Sequence, residues 1–412
     1  MTGILQGMRI VEGSAFVAVP LAGMTLAQMG ADVIRFDRIG GGLDAKRWPI
    51  APNGQSLFWA GLNKGKRSIA VDMKSDQGRE LITRIITAPG EDAGLFITNL
   101  RVRGWMDHET LSRFRRDLIM VTLTGDRHGR PQVDYTVNPA LGIPHITGPV
   151  GHRDPVAHAL PAWDCIAGNL VVSTLLAAER QRLRHGNGSD AELSLKDVAA
   201  ATLGHLGLIA EASLNAEPRG KAGNALFGAY GHDFICADGA RVMVIGLTAR
   251  QWSGLVKATE TGAKMQELES RTGTDLKEEG NRWRLRADIT DILKPWFATR
   301  VVSEVAATLE AAGVTWSQFR TTREALDADP DMSTDNPMFK MLHHPGVGAY
   351  PVPGHPASFS NMDRLEPSPA PVLGEHTEEI LSDVARLDDT EISQLFDAGV
   401  VQSPAFARQS AA

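Results

Sequence analysis

The chain has 412 residues, 43% of them hydrophobic and 22% charged, with a formal net charge of -7 at pH 7. That length exceeds what one hydrophobic core usually supports, so two domains are expected, and the negative balance argues against a nucleic-acid surface. Two cysteines, Cys165 and Cys236, make no disulfide framework, and no apolar run reaches membrane-spanning length, so a cytoplasmic protein with no membrane partner is expected.

Met8 to Ser14 reads as a first buried strand, Pro20 to Met29 as a helix closed by Gly30, and Ala31 to Asp37 as a second strand. This strand–helix–strand unit invites comparison with dinucleotide-binding folds. However, the turn Gly13-Ser14-Ala15-Phe16-Val17-Ala18 lacks the G-x-G-x-x-G spacing that brings backbone onto a pyrophosphate, so NAD is not the expected ligand. The Gly40-Gly41-Gly42 loop, with Arg38, Lys46 and Arg47 around it, is either a flexible link or a phosphate-holding surface. Asn63-Lys64-Gly65-Lys66-Arg67 packs three cations before a short strand and, taken alone, reads as a solvated turn. Asp76 to Ile86 is an amphipathic helix with Leu81, Ile82, Ile85 and Ile86 as its stripe. Strands are predicted at Ala93 to Asn99 and Leu118 to Thr124, with a helix around Leu111 between them. Such alternation predicts an open parallel sheet that takes ligands at the C-terminal ends of its strands. Asn99 and Arg101 lie at one such end, and Tyr135 follows another.

Leu160-Pro161-Ala162-Trp163-Asp164-Cys165-Ile166-Ala167-Gly168 opens a mostly buried helix that stops near Gly186. Asp164 stands at its beginning and reads most simply as an N-cap, accepting from free N–H groups of the first turn. A helix N-terminus also favours the anionic carboxylate, the form a nucleophile requires. Cys165 reads as a structural thiol. Ala191 to Leu195 is a short strand and Val198 to Leu214 a small-residue helix, before a polar break at Pro218 to Gly223. Beyond it come a hairpin at Asp233 to Leu247 and helices through Trp252, Trp283 to Phe297 and Val301 to Ala312. After a Pro/Gly-rich stretch at Pro345 to Pro356, two helices close the chain. The expected organisation is a large domain over 1–217, a small α+β domain over 218–330, and a segment 331–412 returning to the large domain.

Three stretches in this order resemble the class III CoA-transferases, the family of formyl-CoA transferase, carnitine CoA-transferase and alpha-methylacyl-CoA racemase. They are Gly30-Ala31-Asp32-Val33-Ile34-Arg35, Asn63 to Lys74, and Pro371-Val372-Leu373-Gly374-Glu375-His376-Thr377. The resemblance covers essentially the whole chain. It implies an α/β fold with a Rossmann-like open parallel sheet in the large domain. It also implies that Asp164 is the catalytic aspartate. Phe16 and Ala18 would lie beside the pantetheine and thioester, Arg38 at the CoA phosphates and Met73 with Lys74 at the adenine end. Asn99, Leu100 and Arg101 fall in the family's Asn-Phe-Arg position, and Tyr135 belongs to the substrate site. Val17 departs from the glutamine of formyl-CoA transferase, and the four-glycine lid of that enzyme is replaced at best by Gly223, Gly228 and Gly231. Tyr135 stands where the racemase branch has a histidine, and racemisation needs two acid–base groups flanking an α-carbon.

Val11 to Ala18, Phe58 to Asn63, Asp134 to Pro139 and Leu160 to Asp164 resemble a narrower branch, which moves CoA from one carboxylate of mesaconate to the other. For this chain the resemblance implies an aspartyl-CoA thioester, a retained diacid with a cation on its free carboxylate (Arg47 is the candidate), and an interlocked homodimer. No metal and no cofactor are expected, CoA being part of the acyl-CoA substrate. An intermolecular transferase, a racemase-like enzyme and a non-catalytic CoA-ester-binding protein stay open as alternatives.

Overall fold

The computed structural model describes residues 3–404. The first elements are β1 (Arg9–Gly13), α1 (Ala18–Gln28), β2 (Asp32–Arg38), α2 (Leu57–Leu62), β3 (Arg67–Val71), α3 (Asp76–Ile86) and β4 (Leu95–Thr98). There follow α4 (His108–Leu111), β5 (Ile119–Thr124), α5 (Asp134–Ala140), α6 (Ile143–Ile146), α7 (Ala162–His185), β6 (Ser189–Ser194) and α8 (Leu195–His205). The six strands join in the order β3-β2-β1-β4-β5-β6, every pair parallel, and Val401–Gln402 adds a short antiparallel strand outside β3. The predicted open parallel sheet is therefore present, extended at one edge by the end of the chain.

A parallel sheet covered on both faces needs apolar side chains on both, and Ile10, Val33, Ile34, Ile69, Phe96, Ile97 and Val121 are all buried. One face is covered by α3 and the helices Thr377–Asp383 and Asp389–Asp397. Ile82, Ile85, Ile380, Leu381 and Ile392 share a core there with Val11, Ile34 and Phe96. On the other side α1 packs against α7, which also contacts β4 and β5. All six parallel strands end on one edge, so their following loops gather there.

The chain divides into two compact units, Met1–Leu141 with Ala159–Glu211 and Pro330–Ala412, and Gly142–His158 with Ala212–Asp329. Residues 142–158, expected from the sequence in the large domain, group with the second unit. That unit holds a three-stranded antiparallel sheet of Tyr230–Ile235, Arg241–Gly246 and Thr315–Gln318, whose core includes Phe234, Val242, Leu255, Leu293 and Phe297. The third strand escapes a periodicity reading because none of its four residues is buried. The predicted Val198 to Leu214 helix is two helices, broken where Gly207 takes φ 78°. The Pro/Gly-rich stretch forms a hairpin, Phe339–His344 with Gly348–Pro353. Among the described residues no helix is long and apolar enough to cross a membrane.

Candidate active site

Between β1 and α1 the chain turns through Phe16, held at φ 68°. A non-glycine residue in this region costs about 1–3 kcal/mol and persists only when its surroundings over-determine it. Here the Phe16 N–H donates to both carboxylate oxygens of Asp44, at 2.9 and 3.0 Å. Asn99, from the end of β4, brackets the preceding residue. Its Oδ1 accepts from the Ala15 N–H at 2.9 Å and its Nδ2 donates to the Ala15 carbonyl at 2.7 Å. Asp44 in turn pairs with Arg35 at 3.1 Å, and Arg35 also pairs with Asp37 at 2.8 Å. The Arg35 guanidinium donates to the Ser14 carbonyl at 3.2 Å and lies 4.7 Å over the Trp59 ring. Beside this group Lys66 pairs with Glu12 at 2.8 Å, both side chains fully buried, and donates to the Pro20 carbonyl of α1 at 2.9 Å.

These buried charges overturn the solvated-turn reading of the cation run. Asn63, Lys64 and Lys66 are buried, and Arg67 binds Asp32, Glu379 and Asp383. Breaking one such buried pair leaves an uncompensated charge, so these pairs tie the β1–α1 turn to the strands beneath it. The available signal was a set of charged residues, Glu12, Arg35 and Asp37, inside strands that otherwise read as apolar.

Asp164 is the third residue of α7, and the N-cap is Pro161, whose side chain makes no capping hydrogen bond. The cap comes from another element. Asp134 Oδ2 accepts from the N–H groups of Trp163 at 2.7 Å and Asp164 at 3.4 Å. One turn further along α5, Asn138 Oδ1 accepts from Trp163 Nε1 at 3.2 Å. The simple N-cap reading of Asp164 is thus corrected, and its carboxylate accepts no hydrogen bond from the described residues. Burial and the nearby charge of Asp134 push its pKa up to about 6, against the opposing pull of Arg47. Burial and Asp164 also raise the neighbouring Cys165 thiol, which disfavours its thiolate.

Gly168, one turn beyond Asp164, allows α1 and α7 to converge, since a Cβ there would lie 2.6 Å from the Ala18 carbonyl oxygen. The N-cap of α1, Val17, likewise has no side-chain hydrogen bond. The first N–H groups of α1 therefore lack an intrahelical partner, at the position where Ala18 meets the cleft.

That cleft measures about 600 Å³ and brings together Phe16, Ala18, Asn99, Arg101, Tyr135 and Asp164. Asn99, expected to touch CoA, also lines it, but both ends of its amide group are engaged with Ala15. The lining omits Arg38, Met73, Lys74 and Leu100. Arg38 is exposed at the end of β2, its Nε donating to the Gly41 carbonyl at 2.7 Å, so the glycine loop closes on its own cation. Met73 and Leu100 rest against the sheet core. All four stand on the same strand-end edge, where adjacent strands lie about 4.8 Å apart.

Several cleft residues carry no advance signal. Arg130, paired with Asp126 at 2.6 Å, belongs to a loop without a helix or strand period. Gly125 starts that loop, and a Cβ there would fall 2.2 Å from the Gln132 nitrogen. Arg47, the cation the sequence suggests for the free carboxylate, does line the cleft together with Phe58, its guanidinium 5.3 Å from the Phe16 ring centre and 5.2 Å from that of Phe58.

Comparison with known proteins fits this arrangement. Residues 5–377 match the profile of CoA-transferase family III. The chain is 55% identical over 405 residues to the 2-methylfumaryl-CoA isomerase of Chloroflexus aurantiacus, covering 98% of this chain and 99% of that one. It is 27% identical to human succinyl-CoA:glutarate CoA-transferase, over 96% of this chain and 90% of the relative. A CaiB/BaiF family crystal structure from Brucella suis shares the fold, with a TM-score of 0.76 at 24% identity, covering 93% of this chain and all of that one.

Proposed function

The chain belongs to CoA-transferase family III, and from that premise we propose that it moves CoA between the two carboxylates of 2-methylfumaryl-CoA, with Asp164 as covalent carrier. The observation that carries the chemistry is the division of labour at the start of α7. Asp134 caps the helix, which leaves the Asp164 carboxylate in the cleft without a hydrogen-bond partner among the described residues. Near-full-length identity to a 2-methylfumaryl-CoA isomerase supports the choice of substrate.

In the first half-reaction an Asp164 oxygen attacks the thioester carbonyl carbon, the C–S bond breaks, and a mixed anhydride and CoA thiolate form. The thiolate then attacks the Asp164 carbonyl carbon and expels the diacid, leaving CoA on Asp164. The second carboxylate of the same diacid attacks that thioester, and the two steps run in reverse to regenerate Asp164. No proton is consumed in any step. Splitting one transfer into two displacements lowers each barrier, while the N–H groups at the start of α1, where Ala18 meets the cleft, would be the donors for the developing oxyanions.

CoA would lie along the strand-end edge, with Phe16 and Ala18 at the thioester and Tyr135 at the acyl group. Arg38, Lys74 and Arg101 would serve the phosphates, and Met73 with Lys74 the adenine end, with Leu100 between Asn99 and Arg101 on the same edge. The working enzyme is an interlocked homodimer in the cytoplasm. The deciding experiment incubates enzyme and mesaconyl-CoA with hydroxylamine and maps the product by mass. A hydroxamate on Asp164 is expected. Turnover without any Asp164 adduct would refute the carrier role, and rapid entry of labelled free mesaconate into product would make the enzyme an intermolecular transferase.

A further inference from the structure

Resting on that reading, we infer that Arg47 grips the substrate's free carboxylate and keeps the diacid in the cleft while CoA is on Asp164. Release of the diacid from the anhydride creates a dianion, and its retention requires a cation that no protein acid already neutralises. The cleft lining contains three arginines. Arg101 is matched by Glu192 at 3.2 Å and Arg130 by Asp126 at 2.6 Å. Arg47 has no ion-pair partner and no side-chain hydrogen bond among the described residues, while lining the same cleft as Asp164.

The Arg47 head group is also held in place. It lies against the rings of Phe16 and Phe58, at 5.3 and 5.2 Å. Phe16 is fixed by the Asp44 carboxylate, and the Ser56 hydroxyl donates to the Arg47 carbonyl at 2.6 Å. A planar guanidinium fork held in this way meets a carboxylate in two parallel hydrogen bonds, which a lysine cannot reproduce. Arg47 and Asp164 line the same cleft, as a diacid bridging them requires. During transfer the fork would release one carboxylate to Asp164 and take the other.

The test compares wild type, Arg47→Met and Arg47→Lys on mesaconyl-CoA and on a thioester with a methyl group in place of the distal carboxylate. Hydroxylamine trapping at Asp164 and entry of labelled free mesaconate are both measured. Arg47→Met should lose about 100-fold in kcat/KM on mesaconyl-CoA, the scale of a charge-assisted hydrogen-bonded pair. It should form the Asp164 adduct from the methyl analogue as fast as wild type, and it should admit labelled mesaconate. Arg47→Lys should fall between. Equal losses on both thioesters, or full activity with label still excluded, would overturn the assignment. A wild-type protein that yields no Asp164 adduct from either thioester refutes the carrier reading and this inference with it. Label entering wild-type product refutes retention alone, and the comparison of the two thioesters then still decides whether Arg47 contacts the carboxylate.

Discussion

Replacing Asp164 by asparagine should abolish turnover and at the same time make the fold more stable at neutral pH. In the native protein burial and Asp134 raise the Asp164 pKa to about 6, whereas an unfolded aspartate titrates near ~3.9. Below the unfolded value both states are protonated and the carboxyl group costs nothing. Between the two values the native state holds the extra proton, so stability falls as pH rises. Above pH ~6 the ionised carboxylate must be kept in its half-buried site. The cost is about 1.4 kcal/mol for each pH unit separating the native and unfolded values, or about 3 kcal/mol in all. Asparagine carries no charge and preserves the volume, and the cap on α7 stays with Asp134. The favourable effect of an anion at a helix N-terminus is only about 0.3–1 kcal/mol, too small to reverse the sign. Urea denaturation should therefore show Asp164→Asn more stable than wild type by about 2–3 kcal/mol at pH ~7.5, the difference vanishing toward pH ~4. Turnover should drop by about 10⁴-fold or more, as for loss of a covalent nucleophile. A variant that is less stable at every pH, or whose stability gain ignores pH, would show that the carboxylate makes stabilising contacts and that its burial is not costly.

In wild type kcat/KM should rise with pH through about 6 as Asp164 ionises. Asp134→Asn keeps an acceptor for the α7 cap but removes the neighbouring charge, so this acid limb should move to lower pH; an unmoved limb would count against Asp134 as its cause. Arg38→Ala should weaken binding of CoA thioesters, with salt weakening wild type more than the variant, and an unchanged dissociation constant would remove Arg38 from the site. Light scattering should give twice the chain mass, and a stable monomer would refute the homodimer.

The fold was legible because a doubly covered parallel sheet writes itself as short apolar strands alternating with amphipathic helices. The strands β1 to β6, the stripe of α3 and the Gly186 stop could all be read in this way. The polar interior was not legible, since one-dimensional patterns cannot show which charge meets which. Glu12 and Lys66 are far apart in sequence, and the cations before β3 look like any solvated turn until Glu12, Asp32 and the C-terminal helix are placed beside them. The cleft loop from Gly125 to Val133 has no period at all, so Arg130 left no trace. Among the expected CoA contacts, Phe16, Ala18, Asn99, Arg101 and Tyr135 meet at the cleft. Arg38, Met73, Lys74 and Leu100 share only its strand-end edge.

Asp164 shows why the remaining part of the site was beyond reach. An aspartate in the first turn of a helix has the same spacing whether it caps the helix or performs chemistry. A carboxylate that caps its own helix spends lone pairs on N–H groups and is stabilised as the anion, which lowers its nucleophilicity. Here Pro161 offers the helix no side-chain acceptor, and α5 supplies one through Asp134, with Asn138 one turn later fixing Trp163. The borrowed cap leaves the Asp164 carboxylate with no hydrogen bond among the described residues, and the charge of Asp134 adds to burial in raising its pKa. In the sequence the Asp134 to Pro139 stretch carries only a resemblance. Its physical content is that Asp134 and Asn138, four residues apart on one helical face, hold the start of α7, while Tyr135 on a different face lines the cleft with Asp164. That relation joins residues thirty positions apart, and only the packing of α5 against α7 brings them together.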